Sequence, residues 1–256
     1  HSFPTRRSSD LVVAKYGGNA MTDPVLKKNV MQDILLLHLI GVNVILVHGG
    51  GPDINAMLGA LKIESHFENG LRVTDKDTMD VVQMVLAGKV NKGLVAYLSA
   101  LGGKAIGLCG IDGNMIQVHT KNEKLGLVGE IDHIDTGVID SALSAGFIPV
   151  ISSVGIDSKG QPHNINADTV AAAVAGALQA EALISMTDVV GLLRDKDDES
   201  SLIHRVYISD TPALLVLPMR ERPGIWPSWR SSGAVTLEVI TSGLAPGYRV
   251  ITRMVG

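Results

Sequence analysis

The chain has 256 residues, 46% of them hydrophobic, enough for the core of one large α/β domain or two closely joined lobes. Its 22 basic and 26 acidic side chains give a formal charge of −4, and the scattered Lys and Arg exclude the basic footprint of a nucleic-acid partner. No apolar run reaches the ~18 residues that cross a bilayer, the first ten residues lack the apolar centre of a signal peptide, and the lone Cys109 cannot form an internal disulfide, so a cytoplasmic protein with a buried structural cysteine is expected.

In chain order, His1 to Asp10 has neither apolar periodicity nor a cap leading into the next segment. It resembles a translated sequencing-library adapter and is expected to be a non-native leader. Leu11 to Ala14 reads as a strand that ends in Lys15-Tyr16-Gly17-Gly18. Thr22 or Asp23 as cap, with Pro24 in the first turn, opens a helix through Val30, Ile34, Leu37 and Leu39 toward Gly41. Val44 to Val47 is a second strand; it ends in His48-Gly49-Gly50-Gly51-Pro52, from which another helix starts. Asp77 to Leu101 has apolar residues at Met79, Val82, Val85, Leu86, Val90, Leu94, Tyr97 and Leu98, a long amphipathic pattern suited to the core or to a partner subunit. Strands follow at Ala105 to Leu108, Ile148 to Ile151 and Ala182 to Ser185, with a small-residue helix at Val170 to Leu178. This alternation predicts an α/β protein with a mainly parallel sheet covered on both faces.

Beyond Lys196 there is no lysine, and both tryptophans, Trp226 and Trp229, fall in the Pro- and Arg-rich stretch 217–230. Two readings fit: a native arginine-rich loop, or a shifted reading frame across 215–256. The codons for Trp226-Pro227-Ser228-Trp229, moved by one base, can encode Leu-Ala-Lys-Leu.

Lys15, directly after a buried-type strand, either snorkels to the surface or neutralises an anion. Gly49-Gly50-Gly51 is either a plain strand-to-helix turn or a nest of N–H groups backed by a helix dipole, for which an anion is the natural guest. A dinucleotide fingerprint is excluded by Ile54, where glycine would be needed, and no Walker-type motif occurs. Arg72, between a loop and a helix that Thr74 or Asp75 can cap, suits bidentate capture of a carboxylate; taken alone it reads as a surface charge. Asn164, Asn166 and Asp168 precede an apolar helix, and N-capping accounts for only part of that stripe. Histidines at metal-ligand spacing are absent, so any metal is expected to arrive with a nucleotide.

From about Leu11 to Pro212 these features resemble the amino acid kinase family. Lys15-Tyr16-Gly17-Gly18 and the triple glycine resemble the family at large. Leu71-Arg72-Val73-Thr74, Lys89-Val90-Asn91-Lys92, Gly110-Ile111-Asp112-Gly113 and Asn164-Ile165-Asn166-Ala167-Asp168 are similar to its acetylglutamate branch. The resemblance implies a three-layer α/β/α sandwich of the carbamate kinase-like kind. It also implies ATP-dependent phosphorylation of the side-chain carboxylate of N-acetyl-L-glutamate, with Mg²⁺ carried by the ATP and a homodimer or higher assembly.

In that scheme Lys15 stabilises the transferring phosphoryl group and Asp168 orients the lysines. Gly17, Gly18 and Gly49 lie on the phosphate, Gly50 and Gly51 on the attacking carboxylate, and Arg72, Asn164 and Asn166 on the rest of the substrate. Thr187 and Asp188 begin the nucleotide-binding half, so the resemblance divides the chain at residue 180 into substrate-binding (11–180) and nucleotide-binding (181–256) halves. One departure is expected to matter: the family carries a second lysine near Gly224-Ile225-Trp226-Pro227-Ser228, where this chain has no cation. The rival readings are a family member acting on carbamate, a nucleoside monophosphate or glutamate, and a catalytically impaired ligand-binding homologue.

Overall fold

The structure is a computed structural model that describes residues 11–68, 70–186, 198–201, 205–206, 236–240 and 250–255. Expectations for the leader 1–10, for Thr187 and Asp188 and for residues 215–235 lie outside the described residues.

Apolar runs too short for helices form a parallel core of β1 (Leu11–Tyr16), β2 (Asn43–His48), β5 (Ala105–Cys109), β8 (Ile148–Ser152) and β11 (Ala182–Met186). Between them in the chain stand α1 (Pro24–Leu39), α2 (Gly51–Leu61), a hairpin of β3 (Phe67–Glu68) and β4 (Leu71–Arg72), α3 (Lys76–Gln83) and α4 (Asn91–Ala100). Next come β6 (Ile116–Thr120), β7 (Gly129–Ile134), α5 (Gly137–Ser144), β9 (Val154–Ile156), β10 (Pro162–Asn164) and α6 (Ala167–Ala177). The last strands are β12 (Arg205–Val206), β13 (Thr236–Ile240) and β14 (Val250–Val255). The main sheet runs β12-β13-β14-β11-β1-β2-β8-β5. Its β11-to-β5 part is parallel throughout, and β14 joins antiparallel to β11.

Side chains alternate across this sheet as the period of two requires. Ala14, Tyr16, Val44 and Leu46 pack with Val30, Met31 and Ile34 of α1 and with the helical segment after residue 76. Leu11, Val13, Ile45 and Val47 pack on the opposite face with Val170, Ala171, Val174 and Ala175 of α6. The small side chains of α6 let its backbone approach β1, β2 and β11 closely. Each fully buried Ile or Leu here contributes about 1.5–3 kcal/mol relative to an exposed one. Asp23 caps α1 by accepting from the Val25 and Leu26 amides, and Pro24 occupies its first turn.

Two features depart from the sequence reading. The amphipathic pattern expected over 77–101 forms α3 and α4 joined through a π-helical stretch, Met84–Val90. A second sheet, in the order β10-β9-β6-β7, and the β3–β4 hairpin were not expected. Their strands are two to six residues long and all but β9 contain polar residues, so none forms an apolar run long enough to stand out.

Candidate active site

Parallel strands present their carboxyl ends on one edge, and connections diverging to opposite faces open a crevice there. The register puts Lys15 and Tyr16 level with Val47 and His48, and His48 level with Ser152. From β1 the chain crosses to β2 through α1 on one face, whereas α6 on the other face leads into β11. Lys15 lies at this divergence.

Odd-numbered side chains of β1 face α6, so Lys15 points toward the helix whose first turn holds Asp168. Lys15 Nζ lies 2.9 Å from Asp168 Oδ1, with 14% and 35% of the two side chains exposed. So open a pair adds only about 0–1 kcal/mol to stability. Positioning of the ammonium is therefore its larger consequence. A Cβ on Gly17 would lie 3.2 Å from both Cε and Nζ of Lys15, so the lysine curls closely over this turn and a side chain there would displace its ammonium by a few tenths of an ångström. Gly18 follows with φ 67°, a left-handed conformation natural to glycine.

The second glycine turn is tied to the first: the Gly49 amide donates to the Tyr16 carbonyl at 3.1 Å. Gly50 is the N-cap of α2 and offers no side-chain cap, while Pro52 supplies no N–H. The first amides of α2 are thus left for an anion, with the positive end of the helix behind them. By contrast α6 is capped: Asn166 Oδ1 accepts from the amides of Asp168 and Thr169 at 2.9 and 3.1 Å. The helix starts meet across the edge, where a Cβ on Gly49 would touch the Ala167 Cβ at 3.4 Å.

Arg72, the last residue of β4 and paired with Phe67 in the hairpin, is buried rather than exposed. Its guanidinium donates to Ser65 Oγ and Asn55 Oδ1, both at 2.6 Å, and stacks on Phe67 with its carbon 4.6 Å from the ring centre. Among the described residues no carboxylate pairs with it, and burial pushes its pKa down. Asn164 Nδ2 donates to Thr74 Oγ1 at 3.1 Å, and that hydroxyl donates to the Arg72 carbonyl at 2.8 Å. Thr74 thus links Asn164 with Arg72. Asp75, not Thr74, caps α3, accepting from the Thr78 amide.

The other motif residues find structural partners. Lys89 pairs with Asp53 at 2.8 Å, Lys92 donates to the Gly107 carbonyl, and Asp112 accepts from the Cys109 amide. Cys109 is buried, and burial raises its pKa, which leaves an inert thiol. Sequence reasoning passed over His48, which is fully buried: its Nδ1 lies 2.8 Å from the Gly49 carbonyl and its Nε2 3.0 Å from Asn91 Nδ2. A histidine directly before a triple glycine was the available signal. Among the described residues no cluster of three or more His, Cys, Asp or Glu could hold a metal ion.

The fold agrees with what the chain is similar to. A sequence profile described as the amino acid kinase family matches residues 10–215, ending where the composition changes. The acetylglutamate kinase of Brachyspira hyodysenteriae is 53% identical over 206 residues, 80% of this chain and 72% of that protein. The acetylglutamate kinase of Actinobacillus pleuropneumoniae serotype 3 is 56% identical over 207 residues, again 80% of this chain and 72% of the relative. The solved structure of smu.665 from Streptococcus mutans UA159 superposes with a TM-score of 0.68 at 34% identity, covering 73% of this chain and 76% of that one. This chain belongs to the amino acid kinase family.

Proposed function

We propose that this protein transfers the γ-phosphoryl group of ATP to the side-chain carboxylate of N-acetyl-L-glutamate, making N-acetyl-L-glutamyl 5-phosphate for arginine biosynthesis. The observation that carries the reading is Lys15, fixed by Asp168 at 2.9 Å beside two glycine turns and the uncapped start of α2. Relatives that are 53% and 56% identical and bear the name acetylglutamate kinase support the same substrate.

The acceptor carboxylate is already ionised at pH 7 and needs no general base. What opposes the reaction is repulsion between two anions, so preplaced positive charge and aligned N–H groups supply the catalysis. In this reading Lys15 meets the charge of the phosphoryl group in flight, and Asp168 holds the ammonium in line without reaching the substrate. Gly17, Gly18 and Gly49 lie along the phosphates, and the Gly50 and Gly51 amides hold the acceptor carboxylate. Arg72 takes the α-carboxylate, and Asn164 and Asn166 the neighbouring polar groups.

Thr187, Asp188 and the remainder of 181–256 form the nucleotide-binding half, against a substrate-binding half over 11–180. Asp168 is engaged by Lys15 and the described residues offer no cation cage, so Mg²⁺ fits as an ion carried by the ATP phosphates, whose charge it would neutralise. The protein works in the cytoplasm as at least a homodimer, which sedimentation would test.

The deciding experiment traps acyl phosphate with hydroxylamine while ADP release is followed, using N-acetyl-L-glutamate, glutamate, carbamate and a nucleoside monophosphate in parallel. Trapped hydroxamate with the acetylated amino acid is expected. Turnover confined to another acceptor, or ATP binding without any hydroxamate, overturns the reading.

A further inference from the structure

The Gly49–Gly50 peptide is flanked by two residues without side chains, so its plane can turn over with little steric resistance. In a trans peptide the carbonyl and the following N–H point in opposite directions. If the plane flipped, the Gly49 oxygen would replace the Gly50 N–H on the anion side, and the turn would repel a carboxylate. Something must choose the orientation, and the structure holds a candidate on the side away from the anion.

His48 Nδ1 lies 2.8 Å from the Gly49 oxygen, a contact that only a protonated Nδ1 can make as a hydrogen bond. The other ring nitrogen must then accept, and Asn91 Nδ2 stands 3.0 Å from it. The orientation of that amide is itself fixed: the same nitrogen faces the carbonyls of Val150 at 2.9 Å and Leu108 at 3.3 Å, so the oxygen cannot occupy its place. Among the described residues Asn91 Oδ1 has no hydrogen-bond partner; it is buried and tucked over Gly107, where there is no room for a Cβ.

An unsatisfied buried acceptor costs on the order of 1–3 kcal/mol, so this arrangement is poorly explained by stability alone. Asn91 directly follows the π-helical stretch, whose Leu86 and Val90 close on the other side of the turn. A Cβ on Gly50 would come within 2.7 Å of Leu86 Cδ2.

We propose that His48 and Asn91 are a positioning pair for the transfer reaction: Asn91 fixes the neutral Nδ1–H form of His48, which holds the Gly49 carbonyl inward and thereby keeps the Gly50 N–H on the acceptor carboxylate. The inference rests on the reading of Gly50 as a carboxylate-binding amide. Burial supports it further by keeping the ring uncharged, with its pKa lowered to about 4.

The test compares His48→Gln, His48→Asn and Asn91→Leu in the full chain, with thermal unfolding measured on each. Asparagine can keep a donor near the Nδ1 position, whereas glutamine carries its amide too far out. His48→Gln is expected to lower kcat on the order of 10²-fold, the usual loss when one N–H aimed at developing charge is removed. KM for ATP should change little, His48→Asn should retain most of the activity, and Asn91→Leu should fall between.

Two NMR measurements test the pair apart from turnover. In the ligand-free protein the ¹⁵N shifts of the His48 ring should report a protonated Nδ1 and a bare Nε2. With carbonyl-¹³C,¹⁵N-glycine, only residues 18, 50, 51 and 103 follow another glycine, so the Gly50 amide can be resolved. It should move on adding N-acetyl-L-glutamate to the unaltered protein and to His48→Asn, but not to His48→Gln. The opposite ring tautomer, an equal Gly50 response in His48→Gln, or equal losses in the Asn and Gln variants would overturn the proposal. Failure of the unaltered protein to phosphorylate N-acetyl-L-glutamate would instead count against the functional reading, with the ring tautomer still deciding whether the pair exists.

Discussion

The two cations of the proposed scheme have surroundings that differ in kind. Lys15 leans on a carboxylate, Asp168, at the open edge of the parallel sheet. Arg72 sits in the hairpin region, 6% exposed, held by a hydroxyl, an amide oxygen and an aromatic face. A charge already shared with a counter-ion can follow a phosphoryl group that arrives and leaves without being left bare at either stage. A buried guanidinium with only neutral partners is instead short of an anion, and binding one offsets its desolvation. The first arrangement suits transfer, the second capture. Lys15 variants should therefore act on kcat and Arg72 variants on KM.

Lys15→Ala is the largest expected effect: kcat should fall by about 10³-fold or more, on the scale of removing a cation from a phosphoryl-transfer site, while binding of N-acetyl-L-glutamate changes little. Calorimetry beside steady-state kinetics checks the split, and a variant that loses affinity rather than rate would erase the contrast.

Next in size is a pH effect that bounds where the contrast can be measured. His48 is buried neutral with a pKa of about 4 against 6.5 when free. Between those values the unfolded chain binds more protons than the folded one, so stability should decline as pH falls from 6.5 toward 4 and be constant from this group above 6.5. The full loss is about 3 kcal/mol. Urea titrations across that range, with His48→Asn removing the slope, check it. Arg72→Lys should come third, raising KM for N-acetyl-L-glutamate about 10- to 30-fold with kcat nearly kept, because an ammonium cannot reproduce the bidentate fork.

The legibility of the sequence divides along the same line. The five parallel strands were found within two residues at either end because strands buried on both faces read as continuous apolar runs. Lys15 and the glycine turns stand at the ends of such runs, so fold and position were read together. The Arg72 region was not legible as structure. Its hairpin strands are two residues long, and Ser65 and Asn55 reach the guanidinium from 7 and 17 positions away. Its position suggested carboxylate capture, but only the resemblance outweighed the reading of Arg72 as a surface charge. The small sheet that bears Asn164 was missed because its strands are either only three residues long or interrupted by polar side chains. His48 was missed because its role depends on Asn91, 43 residues further along the chain.

Asn55→Ala gives the smallest effect and the sharpest test of the neutral anchors. Among the described residues, Asn55 Oδ1 accepts one of two side-chain hydrogen bonds of the buried Arg72 guanidinium. Without it an N–H group loses its partner beside the exposed Asn55 and Ser65, where water replaces part of the bond, so the cost is about 0.5–1.5 kcal/mol, and a bound carboxylate can accept in its place. The free protein should therefore be destabilised more than the complex, and saturating N-acetyl-L-glutamate should recover much of the lost Tm. Misplacement of the guanidinium works the other way, so KM should rise only about threefold. A destabilisation that substrate does not relieve would mean that Arg72 is satisfied within the fold and is not waiting for an anion.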